Sequence, residues 1–134
     1  MNQRSVRETA YNRPFIRQRA DPYILRREEG GYYFTASVPE YDRIVLRSAD
    51  TLSGLRDAEE RVLWVKHESG PQSVHIWAPE IHRLDGAWYI YYAGGDKDDV
   101  WEIRPYVLCC TGDPMTDPWE ELGPMRASEG DSFS

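Results

Sequence analysis

Cysteine is scarce in this sequence: there are two in 134 residues, and they are neighbours, Cys109 and Cys110. A bridge between adjacent residues needs a geometry that a regular strand does not offer, so both are expected as reduced strand residues, one facing each way. No apolar run is long enough to span a bilayer, and the opening MNQRSVRETA lacks the apolar stretch of a secretory leader. On that ground no membrane partner and a cytoplasmic location are expected. Positive charge is in short supply, with 16 Lys and Arg against 23 Asp and Glu and a formal net charge of −7. Such a field repels a phosphate backbone, so nucleic acid is not an expected partner. Arg13, Arg17, Arg19, Arg26 and Arg27 gather toward the N-terminus, but they alternate with apolar and acidic residues, the pattern of a solvated face. Helical signal is almost absent; only residues 57–63 have a helical look, and they are too few to matter.

What the chain has is aromatic residues and short strand-like runs. Nine Tyr, five Trp and three Phe accompany a hydrophobic share of 40% and a charged share of 29%, the composition of one globular domain. YILRR and YYFTASV are joined across EEGG, RIVLRSA follows, and RVLWVKH comes after an acidic stretch. EIHRL and WYIYYAG are joined across DGA, and PYVLCCT follows. Each run is bounded by Gly, Pro, Asp or Ser, which predicts a meander of antiparallel strands.

Two segments repeat in order. DPYILRREEGGYYFTAS continuing to RIVLRS lies over PEIHRLDGAWYIYYAGG continuing to YVLCCT, and Gly31 falls on Gly86. The offset of about 55 residues fits a four-stranded propeller blade with a long loop. Propellers close with typically four to eight blades, so two repeats cannot close a ring. The expectation is therefore an all-β chain of antiparallel four-stranded blades from an incomplete β-propeller. One blade is expected over residues 13–70 and a second over residues 71–134, the polar ending EGDSFS approaching a further blade.

A propeller gathers the starts of its innermost strands around a central channel. Asp21, in RADPYI, takes that place in the first repeat, and WAPE, residues 77–80, takes it in the second. Asp before Pro is an ordinary turn opener, and Trp77 taken alone could equally pack in a core. Two carboxylates and a Trp converging on one channel nevertheless suit a sugar site, where acids handle protons and an aromatic face stacks on the ring.

RADPYI, GGYYFTASVPEYDRI and HIWAPEIHRLDGAWYIYYAG together resemble the first two blades of glycoside hydrolase family 43, five-bladed propeller enzymes that trim arabinose or xylose from plant polysaccharides. The resemblance runs from about Arg13 to the end and is closest to arabinan-acting members. Such enzymes invert configuration with an Asp base, an Asp that tunes the acid, and a Glu acid. The resemblance implies that Asp21 is the general base, that Trp77 lines the subsite of the cleaved sugar, that Tyr41 lies at its rim, and that Glu80 is a polar contact. Arg17 or Arg19, turned toward Asp21, would favour its charged form. The tuning Asp and the acid would lie on later blades, so the chain carries half of the mechanism. An exo-acting α-L-arabinofuranosidase is expected, with a β-xylosidase less so; the alternative is a non-catalytic carbohydrate-binding or inactive truncated propeller fragment.

His67, His75 and His82 lack the spacing of a zinc helix, and no metal or other cofactor is expected. YYAGGDKDD, residues 91–99, lacks the Lys and helix of a phosphate loop and the full spacing of a calcium loop; it predicts a hairpin loop. GDPMTDPWEEL, residues 112–122, reads as an edge turn near the blade rim.

Overall fold

The computed structural model describes residues 16–125. Arg13 and the closing EGDSFS lie outside the described residues. The chain folds as two four-stranded antiparallel sheets, consecutive in sequence. The first has the order β1 (Ala20–Arg26), β2 (Tyr32–Ser37), β3 (Arg43–Ala49), β4 (Arg61–Val65). The second runs β5 (Val74–Leu84), β6 (Ala87–Asp96), β7 (Asp99–Cys110), β8 (Glu120–Pro124). These are the all-β, blade-like meanders that the repeat predicts, and each has the innermost strand first.

Turn chemistry sets the registers. Leu84 pairs with Ala87 across Asp85-Gly86, whose φ values of 50° and 79° form the two-residue turn that matches strand twist. The corresponding first-blade turn is longer and carries Gly30 and Gly31 at φ 106° and 89°. Of residues 91–99, expected as a hairpin loop, 91–96 are the end of β6; only Lys97 and Asp98 turn the chain into β7, with Asp96 opposite Asp99.

The two sheets pack face to face. Tyr33, Ile44 and Leu46 of the first sheet meet Ile76, Ile81, Trp88, Ile90 and Leu108 of the second, and the Tyr33 ring stands edge-on to Trp88 at 5.0 Å. Strand β2 is buried on both faces, because alternate residues Phe34 and Ala36 join a smaller core with Ile16 and Leu55. Thr35, fully buried, satisfies its hydroxyl by donating to the Val45 carbonyl at 2.8 Å. Strand β5 lies against both β1 and β2, which brings the innermost strands of the two sheets side by side.

Some expectations fail locally. Residues 57–63 are not helical: a single 3-10 turn, Ser53–Arg56, precedes them, and Arg61 already begins β4. A four-residue turn needs only one or two closing bonds, which the Thr51 hydroxyl supports by accepting from the Gly54 N–H at 3.0 Å. Residues 112–122 are a turn that leads into an eighth strand, β8, which the run of Asp, Pro and Glu conceals. Asp113 accepts from the Met115 N–H and Asp117 from the Asp113 N–H, closing that turn. Both cysteines are free and buried; Cys110 enters the main core, while burial first and then the charge of Glu120 push the Cys109 thiol upward.

Candidate functional site

Asp21 and WAPE lie inside strands β1 and β5, at irregularities in the ladders, rather than ahead of the strands. The β1–β2 pairing runs Ala20↔Ser37 and then skips to Tyr23↔Thr35, so Asp21 and Pro22 form a bulge. Proline has no N–H to give to a ladder, and a bulge is where a strand accommodates it. In the second sheet the register shifts on both sides of Trp77, which alone keeps its partner, Ala93, across that stretch.

Four non-glycine residues with left-handed backbone gather at these irregularities: Asp21 at φ 49°, Tyr41 at 51°, His75 at 54° and Ala78 at 53°. Each such conformation costs of order 1–3 kcal/mol and persists only where neighbours hold it. Asp21 thus departs from the extended conformation that the following proline favours. The neighbours are cross-blade. Ile76 donates its N–H to the Tyr41 carbonyl at 3.0 Å, and Ala78 donates its N–H to the Ser37 hydroxyl at 2.7 Å. The first blade thereby satisfies backbone groups on either side of Trp77 where the β5–β6 ladder is broken.

The site therefore draws on both blades. Asp21 is exposed, and its Oδ2 accepts from the Ser37 hydroxyl at 3.0 Å. The Tyr41 ring stands edge-on to Trp77 at 5.4 Å, and the His75 ring lies tilted at 4.8 Å from the same indole. An open cavity of about 340 Å³ lies alongside, lined by Ala20, Ser37, Val38, Pro39 and Tyr41 among others. An exposed carboxylate next to half-buried aromatic faces can take a proton from water and stack a sugar ring.

Glu80 sits elsewhere on β5. Its partner is His82, with Nε2 3.4 Å from Oε1, and no hydrogen bond joins Glu80 to Asp21, Tyr41 or Trp77 among the described residues. The ring of His82 lies 5.4 Å from that of Tyr23 on β1, and burial first, then the Glu80 charge, push the Tyr23 hydroxyl upward. His75 and Ser37 are the two residues of the cluster that sequence reasoning missed. HIW hints at His75 through its adjacency to Trp77, whereas a small hydroxyl inside YYFTAS gives no signal.

Arg19 does not turn toward Asp21. Its guanidinium takes both oxygens of Glu60, at 2.7 and 3.0 Å, and the same carboxylate accepts from Arg47 at 3.1 Å. The two-point fit to a carboxylate fork, shared with a second arginine, explains the choice. No ion pair joins Arg17 to Asp21 among the described residues. Burial works against the Glu60 charge, but hydrogen bonds from Arg19 and Arg47 outweigh it and hold this carboxyl below its ordinary value. Among the described residues no group of three His, Cys, Asp or Glu is placed to hold a metal ion.

Two four-stranded antiparallel sheets whose first strands are bulged, and meet at a joint that carries a carboxylate and aromatics, define blades of a β-propeller. The model of the glycosyl hydrolases family 43 matches residues 11–134, and the chain belongs to that family. It is 53% identical over 125 residues to the "Extracellular exo-alpha-(1->5)-L-arabinofuranosidase" of Streptomyces avermitilis, covering 92% of this chain and 26% of that protein. Against the protein of the same name from Streptomyces chartreusis the identity is 51%, with 91% of this chain and 38% of the relative covered. The crystal structure of the α-L-arabinofuranosidase from Lactobacillus brevis superposes with a TM-score of 0.77 at 45% identity, over 90% of this chain and 40% of that one. The chain thus spans between about a quarter and two fifths of the length of these relatives.

These names correct the expected cytoplasmic location, since both Streptomyces relatives are described as extracellular. The composition of MNQRSVRETA shows only that those ten residues are not an apolar run; it does not decide where the protein acts.

Proposed function

We propose that the chain supplies the first two blades of a secreted, inverting glycosidase that releases arabinose from arabinose-containing oligosaccharides or polysaccharides, with Asp21 as general base. The observation that carries this reading is the joint itself: an exposed carboxylate held by Ser37, in the bulge of one inner strand, beside the Tyr41–Trp77 pair that spans the two blades. The names of the relatives, exo-acting on arabinofuranosides, favour arabinose over xylose.

In this reading the sugar at the end of the chain lies against Trp77, and Tyr41 closes its rim. Asp21 accepts a proton from a water molecule as that water attacks the anomeric carbon from the face opposite the leaving group. The leaving oxygen takes its proton from a second carboxyl group, roughly 6.5–9.5 Å from the base, the separation that leaves room for the water. That group is assigned to a part of the protein beyond these two blades. Glu80 contributes a polar contact further along the channel.

The test is release of arabinose from arabino-oligosaccharides by the full-length protein and by its Asp21→Asn variant, with the anomer of the first product read by NMR. Loss of turnover and a product of inverted configuration are expected. Sugar binding without hydrolysis in the parent protein would instead make it a carbohydrate-binding propeller.

A further inference from the structure

We propose that Ser37 is a positioning residue for the general base, an inference that rests on the role of Asp21 given above. Ser37 closes β2 opposite Ala20, one residue before the bulge, and is 2% exposed. A hydroxyl has a single proton. Here it is given to Oδ2 of Asp21 at 3.0 Å, while the Ala78 N–H donates to the Ser37 Oγ itself from 2.7 Å. The incoming N–H leaves the hydroxyl little freedom to rotate, so its proton stays aimed at the carboxylate.

Among the described residues this is the one side-chain hydrogen bond that Asp21 makes, and no ion pair competes for it. Oδ2 is anchored and Oδ1 is left without a protein partner among those residues. The arrangement divides the carboxylate into an oxygen that is held and an oxygen that faces the reacting water. A base on an otherwise exposed, bulged segment needs such a restraint, since displacement of a reacting group by about 1 Å can cost about a hundredfold in rate.

The same hydroxyl grips the residue after Trp77. One buried atom therefore sets the distance between the oxygen that activates water and the aromatic face that carries the sugar. Ser37 acts on chemistry through Asp21 and touches no substrate itself.

The test is a double-mutant cycle in the full-length protein, with Ser37→Ala, Asp21→Ala and the pair assayed on arabino-oligosaccharides, and Ser37→Thr as the variant that keeps the hydroxyl. Ser37→Ala is expected to lower kcat about 10- to 100-fold with KM changed less than about threefold, and Ser37→Thr to recover most of the loss. In the Asp21→Ala background the Ser37→Ala change is expected to alter residual turnover less than about twofold, because the group it positions is gone. An equal loss in both backgrounds would reduce Ser37 to a structural role, and an unchanged kcat in Ser37→Ala would also overturn the proposal while leaving the base in place. Full turnover in Asp21→Ala alone would overturn the base assignment and this inference with it. If Ser37→Ala fails to fold, Ser37→Cys, a far weaker donor, replaces it with the same expected ordering.

Discussion

The rings of Tyr41 and Trp77 come from different blades and meet at 88° with their centroids 5.4 Å apart. In this edge-to-face pair Trp77 is half-buried and keeps part of its surface open to solvent. Trp77→Ala is therefore expected to weaken binding of arabino-oligosaccharides about tenfold, in line with the worth of an aromatic stacking contact. Tyr41→Ala is expected to weaken it less, because in the proposed site Tyr41 forms the rim and steadies the neighbouring Trp77 ring. Isothermal titration of the full-length protein and both variants measures the order.

Asp21→Asn is expected to lower kcat by about 10²- to 10⁴-fold, the usual contribution of a positioned base. Asp21 is exposed, and an Asn amide oxygen can still accept from the Ser37 hydroxyl, so thermal unfolding should move by less than a few degrees. A variant that loses activity and stability together would mark Asp21 as a structural residue.

Glu60 offers a stability prediction with a defined sign. Its carboxyl is held below its ordinary value by Arg19 and Arg47. The stabilisation is thus fully present above the unfolded carboxylate value, about 4.3, and is lost as pH falls through the lower folded value. Glu60→Gln is expected to destabilise the protein by about 1–3 kcal/mol at neutral pH. The difference between parent and variant should shrink as denaturant titrations are moved from pH 7 toward pH 3.

The two hairpin glycines that the repeat aligns are expected to differ in their tolerance. Gly86, at φ 79°, has no heavy atom within 4 Å of an added Cβ, so Gly86→Ala meets only the cost of a left-handed alanine, about 1–2 kcal/mol. At Gly31 the same atom would meet the Arg27 guanidinium and lie 3.1 Å from the Ala49 carbonyl oxygen, a backbone atom that cannot move aside cheaply. Gly31→Ala should lower the denaturation midpoint more than Gly86→Ala.

How much was legible in the sequence follows from what kind of interaction set each feature. Strands such as RIVLRSA were legible to the residue because their β-branched residues lie between turn signals, and β3 is Arg43–Ala49. The paired glycines fixed the match between the blades. Strand β8 was not legible, since Glu120, Glu121 and Gly123 hold it by pairing with β7 rather than by their own preference for extended structure. Asp21, Trp77 and Tyr41 could be singled out from motif resemblance, and the fold brings all three to the joint. The partner of Arg19 could not be read, because Glu60 lies 41 residues away in sequence and only the folding of β4 beside β3 delivers it. Ser37 was silent for the same reason: the role proposed for it rests on two bonds to distant backbone and side chain, with nothing in its own neighbourhood to announce it.

The cross-blade bonds at Tyr41 and Ser37 bear on how this family can be shuffled. A chimera that grafts a second blade from one relative onto a first blade from another keeps every ladder inside each sheet. It inherits the seam only if the first-blade donor brings a hydroxyl at 37 and the same backbone path at 41. Two positions on one strand and its following loop thus couple the modules at this seam, beside the shared core and the Arg61–Pro114 bond, and recombination points placed in the loop between β4 and β5 preserve each half of the seam intact.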